Sequence, residues 1–158
     1  MNYSYPIANK NNIFEKSRAL TTLFIQIDYK VILMKIIAIS ASSSSTSINK
    51  KLATYAAGLV AGAEVEVLDI NDYEMPIFSE DKEKELGQPE QAKAFFQKIG
   101  EADAVVISYA EHNGSYAAAF KNVFDWTSRI DMKVYQGKPV VMLATSPGPG
   151  GAATVLAA

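Results

Sequence analysis

Three short segments of this chain concentrate residues able to hold a small anion or a flat polar ring. They are Ser40-Ala41-Ser42-Ser43-Ser44-Ser45-Thr46-Ser47-Ile48-Asn49, Glu111-His112-Asn113-Gly114-Ser115-Tyr116 and Thr145-Ser146-Pro147-Gly148-Pro149-Gly150-Gly151. The first is dense in hydroxyls. Ser42, Ser44, Ser45, Thr46 and Ser47 can donate to phosphate oxygens, and Asn49 and the amide of Ile48 add further donors. A helix opening there contributes unpaired N–H groups and a dipole that favours negative charge. The segment has neither a G-x-G-x-x-G pattern nor the lysine of a P-loop. It therefore suits the terminal phosphate of a mononucleotide better than a pyrophosphate. The same serines would also serve as a plain helix cap.

In the second segment Glu111, His112 and Asn113 offer amides and carbonyls to the edge of a ring, and Gly114 permits close backbone approach. Asn-Gly is equally a turn signal. His112 is the single histidine; it can act as a proton donor, or simply pack on a ring or make one hydrogen bond. In the third segment Ser146, Pro147 and Gly148 shape backbone with little side-chain bulk. A phosphate loop followed by two small-residue loops points to flavin mononucleotide (FMN), and hence to redox chemistry.

Such loops need strands and helices to place them. From Met34 onward, apolar runs alternate with helical periodicity. Strands are expected at Lys35–Ser40, Glu64–Asp69, Ala104–Tyr109 and Lys138–Ala144, and helices at Asn49–Ala61, Pro89–Gly100 and Ser115–Arg129. Gly62 is placed to end the first helix, and Gly151–Ala158 reads as the start of a fourth. Ile70–Gly87 reads as an irregular connection. Repeated β–α units imply a parallel sheet with right-handed crossovers, and its ligand crevice lies beyond the strand ends. The expected class is α/β, a flavodoxin-like three-layer sandwich with strand order 2-1-3-4 and a fifth strand missing at the C-terminus.

Residues 1–33 differ in character, being rich in Asn, Tyr, Lys and Ser. Met34 is the expected domain start, which makes 1–33 an extension that need not be native. The alternative is an added strand at Leu23–Ile27. The domain then covers 34–158 and is expected to be C-terminally truncated.

Composition narrows the function classes. The 158 residues are 49% hydrophobic and 20% charged, with a net charge of -2 and no cysteine. Disulfides, thiolate metal sites and a cysteine nucleophile are excluded, and one histidine rules out a multi-histidine metal centre within one chain. No basic stripe supports nucleic-acid binding. No apolar run reaches the roughly 18 residues of a membrane helix. The N-terminus lacks the pattern of a secretory signal, so a cytoplasmic protein is expected.

The motifs resemble those of the NADPH-dependent FMN reductase family. Ala41–Asn49 is similar to its G-S-x-R-x-x-S-x-N motif, matching at Ser42, Ser47 and Asn49, with Ala41 in place of Gly and Ser44 in place of Arg. Ala110–Ser115 is similar to P-E-Y-N-G-S, matching at Glu111, Asn113, Gly114 and Ser115. The Lys121-Asn122 and Asp125-Trp126 pairs resemble the family's following helix, and Ser146-Pro147-Gly148 its third flavin loop. The resemblance implies hydride transfer from NADPH or NADH to flavin N5 and onward to a small-molecule acceptor: a quinone, an azo compound, a metal oxyanion or free flavin. It implies a homodimer or homotetramer. Ser42, Ser44, Ser47, Ile48 and Asn49 would take the phosphate. Glu111, His112, Asn113 and Gly114 would hold the ring edge, and Ser146, Pro147 and Gly148 would complete its pocket. With Ser44 in the arginine position, phosphate would rest on neutral donors. Two other functions compete: an electron-carrying flavodoxin, and a non-catalytic remnant.

Overall fold

The computed structural model describes residues 33–158. The expected N-terminal extension and the Leu23–Ile27 segment lie outside the described residues. The first strand, β1 (Lys35–Ala41), is buried along almost its whole length. That is what a central parallel strand covered on both faces requires. The helix α1 (Ile48–Gly58) returns the chain to β2 (Glu64–Asp69). A 3₁₀ turn at Ile70–Tyr73, α2 (Glu80–Leu86) and α3 (Glu90–Glu101) follow. After β3 (Ala104–Tyr109) come two short strands, β4 (Glu111–His112) and β5 (Ser115–Tyr116). Then follow α4 (Ala118–Ser128) and β6 (Val140–Ala144).

The main sheet has the order β2-β1-β3-β6, with every pairing parallel. This is the expected flavodoxin-like order, with β6 in the role of the fourth strand. β4 and β5 form a separate antiparallel pair.

Alternation along the strands sorts the core into two faces. Ile37, Ile39, Val105, Ile107 and Tyr109 join the aromatic cluster formed with Tyr73, Phe95, Phe120 and Trp126. Ile36, Ala38 and Val106 face α1 and pack on Ala53 and Ala57. Two serines continue the α1 side at its upper end, Ser40 and Ser108, which are partners in the β1–β3 register. Both are buried.

Several expected boundaries move, each for a local reason. α1 ends at Gly58 rather than Ala61, and Gly62 instead takes φ +75° in the turn that follows. The connection 70–87 is more ordered than expected, because Asp69 and Ser79 cap its two short helices through Asn71 N–H and Lys82 N–H. α4 starts at Ala118 rather than Ser115. Asn113 and Gly114 both have positive φ (53° and 76°), as a type I′ hairpin turn requires. Ser115 and Tyr116 are thereby folded back onto His112 and Glu111. Residues 151–157 form successive turns instead of a helix, with left-handed φ at Gly151 and Ala152. Two adjacent left-handed residues cannot open a right-handed helix. Among the described residues no helix is long and apolar enough to cross a membrane.

Candidate functional site

The three polar segments meet beyond the ends of β1, β3 and β6. Together they line a cleft of about 400 Å³. Ser42, Ser43, Ser44, Thr46, Ser47, Ile48 and Asn49 come from the first segment, Glu111 and His112 from the second, and Thr145, Ser146 and Pro147 from the third. Ala110 completes the wall. This is the crevice position at which open α/β sheets take ligands.

The first segment is organised around the N-terminus of α1. The Ser47 hydroxyl caps the helix, accepting from Lys50 N–H at 3.3 Å. It also accepts from the Ser40 hydroxyl at 3.3 Å. With its acceptor capacity used inside the protein, its own O–H remains a donor. Ser42 is arranged the same way, its hydroxyl accepting from Ser44 N–H at 3.3 Å. Ile48 exposes its side chain, and its N–H is one of the first-turn donors that have no intrahelical partner. Lys50, the cation nearest in sequence, is turned away to Asp69 at 2.8 Å. That hydrogen bond holds the Asp69 carboxyl below the usual carboxylate range. The donor set around the helix start is therefore neutral and pre-aimed. It fits a phosphate monoester bound by hydroxyls, amides and a helix dipole.

Asn49 is buried and makes three hydrogen bonds within the protein, which use its Oδ1 twice and one of the two N–H groups of Nδ2. Its Oδ1 accepts from the Ser108 hydroxyl at 2.7 Å and from Thr145 N–H at 3.0 Å. Its Nδ2 donates to the Thr145 carbonyl at 3.0 Å.

In the second segment Glu111 is half-buried and His112 exposed. Glu111 Oε2 accepts from Val155 N–H at 2.9 Å, which ties the hairpin to the turns at 151–157. Asn113 and Gly114 lie at the hairpin tip and Gly148 further along the third loop, all outside the cleft wall. A Cβ at Gly114 would lie 3.7 Å from Thr154 Cγ2, so space is available; the constraint there is φ +76°.

Thr145 and Ser108 were not singled out by residue type. Thr145 contributes main chain, which has no sequence signature, and Ser108 sits inside an apolar strand. Its pairing opposite Ser40 is the signal that could have found it.

The segment Tyr73–Phe78 flanks a second cleft of about 320 Å³, which shares Ser43 with the first. It is fastened to α4. Asn122 accepts from Phe78 N–H at 2.8 Å and donates to Met75 O at 3.0 Å. Trp126 Nε1 donates to Pro76 O at 2.7 Å. Trp126 is thus a core residue with a satisfied indole N–H.

Residues 34–158 match the family described as NADPH-dependent FMN reductase. An NAD(P)H-dependent FMN reductase of Pseudomonas aeruginosa is 36% identical over 121 residues, which cover 76% of this chain and 64% of that protein. An NADPH:quinone oxidoreductase of Arabidopsis thaliana is 35% identical over 123 residues, 75% of this chain and 61% of that protein. Among solved structures, a flavoenzyme NAD(P)H:(acceptor) oxidoreductase from Paracoccus denitrificans aligns with a TM-score of 0.65 at 31% identity, over 79% of this chain and 68% of that one. The chain spans less than two thirds of the length of either curated relative.

Proposed function

The chain belongs to the NADPH-dependent FMN reductase family, and from that premise we propose that it is an FMN-dependent NAD(P)H oxidoreductase acting on a small-molecule acceptor of the quinone type. The observation that supports this most is the convergence of the three polar segments on one cleft. Bound FMN would supply the redox chemistry, taking hydride from NADPH or NADH and passing electrons to the acceptor.

The protein's own part is binding and orientation. The O–H groups of Ser42 and Ser47 and the N–H of Ile48 hold the phosphate, with Ser44 beside them. Their internal hydrogen bonds set their direction before ligand arrives, so little ordering remains to be done on binding. Glu111 and His112 of the second segment and Ser146 and Pro147 of the third, which line the same cleft, would hold the ring. No acid or base on the protein is required for hydride transfer. The acceptor class rests on the relatives described as quinone reductases. A cytoplasmic homodimer or homotetramer is part of the same reading.

The test is the visible spectrum of the purified protein loaded with FMN, recorded before and after anaerobic NADPH. Bleaching of the flavin band followed by its return on adding a quinone is the expected result. Flavin that binds but stays oxidised would replace the reductase with an electron carrier. Failure to bind FMN would leave only the remnant.

A further inference from the structure

Resting on the flavin reading above, we propose that Asn49 is a positioning residue that fixes where the third loop leaves the sheet, and not a phosphate ligand. The last residue pair in the β3–β6 ladder is Tyr109 with Ala144. Thr145 comes next, directly before Ser146 and Pro147 of the cleft wall. At that point the Asn49 side chain takes over from a strand. Its amide meets both the N–H and the carbonyl of Thr145 at 3.0 Å, the two-point contact a neighbouring peptide group would make. The Ser108 hydroxyl braces the same oxygen at 2.7 Å from within β3. Asn49 is 3% exposed and Ser108 0%. The resulting bridge joins the first turn of α1, where phosphate binds, to the start of the loop that borders the ring.

The consequence is specific. A phosphate ligand contributes only when phosphate is present. A residue that sets the ring loop contributes equally to FMN and to riboflavin, which has the ring without the phosphate.

The experiment measures both dissociation constants by flavin fluorescence for the wild type, Asn49→Leu and Ser108→Ala. Asn49→Leu leaves the Ser108 hydroxyl and both Thr145 groups without their partner. It is expected to weaken FMN and riboflavin by the same factor, about tenfold. Ser108→Ala removes only the brace and cannot touch the ligand. It is expected to weaken both by a common factor of about threefold. At saturating FMN, the visible circular dichroism of the flavin bound to Asn49→Leu should change shape, because the loop beside the ring has moved. A residue that matters only for stability would lower the unfolding midpoint and leave that spectrum unaltered. Loss of FMN affinity with riboflavin affinity intact would return Asn49 to the phosphate site and overturn the proposal. Wild-type affinities in both variants, or an unaltered spectrum in Asn49→Leu, would also overturn it. If Asn49→Leu does not fold, the Ser108→Ala pair of affinities decides alone. A wild-type protein that binds neither flavin would overturn the flavin reading itself, an outcome distinct from all of these.

Discussion

The two faces of the sheet are built from different materials. One is aromatic and large. Trp126, Phe95, Phe120, Tyr73 and Tyr109 pack there with Ile37, Ile39, Val105 and Ile107. Edge-on ring pairs such as Phe78–Trp126 at 5.1 Å and Tyr109–Phe120 at 5.3 Å run through it. The other face is small, with Ala38, Ala53 and Ala57 between Ile36 and Val106. Methyl groups let α1 lie close to the strands. Only a helix held that close can place Ser47 against Ser40 and Asn49 against Ser108. The aromatic face buries area and supplies stability; the alanine face gives up area and gains position.

This contrast can be broken by substitution. The largest effect should follow Trp126→Ala. It empties a fully buried site and leaves Pro76 O only the longer hydrogen bond from Asn122 Nδ2, at 3.2 Å. A loss of about 3–5 kcal/mol is expected in urea unfolding, while the protein that remains folded keeps its FMN affinity. Ala53→Leu should cost less, about 1–3 kcal/mol from overpacking, yet weaken FMN more by lifting α1. If Trp126→Ala weakens FMN binding more than Ala53→Leu does, the division of labour between the faces is wrong.

Ser47→Ala sharpens the comparison. It deletes the α1 cap and one proposed phosphate donor together. It should cost about 1 kcal/mol of stability and weaken FMN while leaving riboflavin affinity nearly unchanged, the opposite of the Asn49 signature.

The smallest effect concerns the far end of the sheet, where charge is used freely. Lys98 and Lys35 reach Glu66 at 2.6 and 2.9 Å. The hydrogen bond from Lys98, and then that from Lys35, holds the Glu66 carboxyl below its usual range. The unfolded carboxyl titrates near pH ~4.3. The stabilisation is full above that value and is lost as pH falls through the lower folded value. Glu66→Gln should therefore differ from wild type by less than about 1 kcal/mol at neutral pH, and the two urea midpoints should converge in acid. A gap that persists in acid would assign the effect to packing instead of charge.

Much of this was legible beforehand because it depends on local periodicity. The four core strands are short apolar runs, and their parallel pairing follows from repeated β–α units; their order is that of the flavodoxin-like fold the sequence resembles. The hydroxyl run at 42–47 announced a helix start through residue type alone. The misses are equally physical. Ser115 belongs to a hairpin rather than to α4, because Asn113 and Gly114 adopt left-handed backbone and fold it back. Gly62 lies beyond the helix it was expected to end. Glu111 enters the cleft wall, but its carboxylate is also engaged by Val155 N–H, 44 residues away in sequence.

Composition and periodicity determined the class of fold and the kind of ligand the loops suit, since each is a property of neighbours along the chain; the strand order came from the flavodoxin-like resemblance. Only the tertiary structure decided which donors are free to meet a ligand. Asn49 carries the same amide in any fold. Its commitment to Thr145, 96 residues downstream, exists only once α1 lies against β3 and β6. The oxygen and the one N–H engaged there are set by the fold and not by residue type.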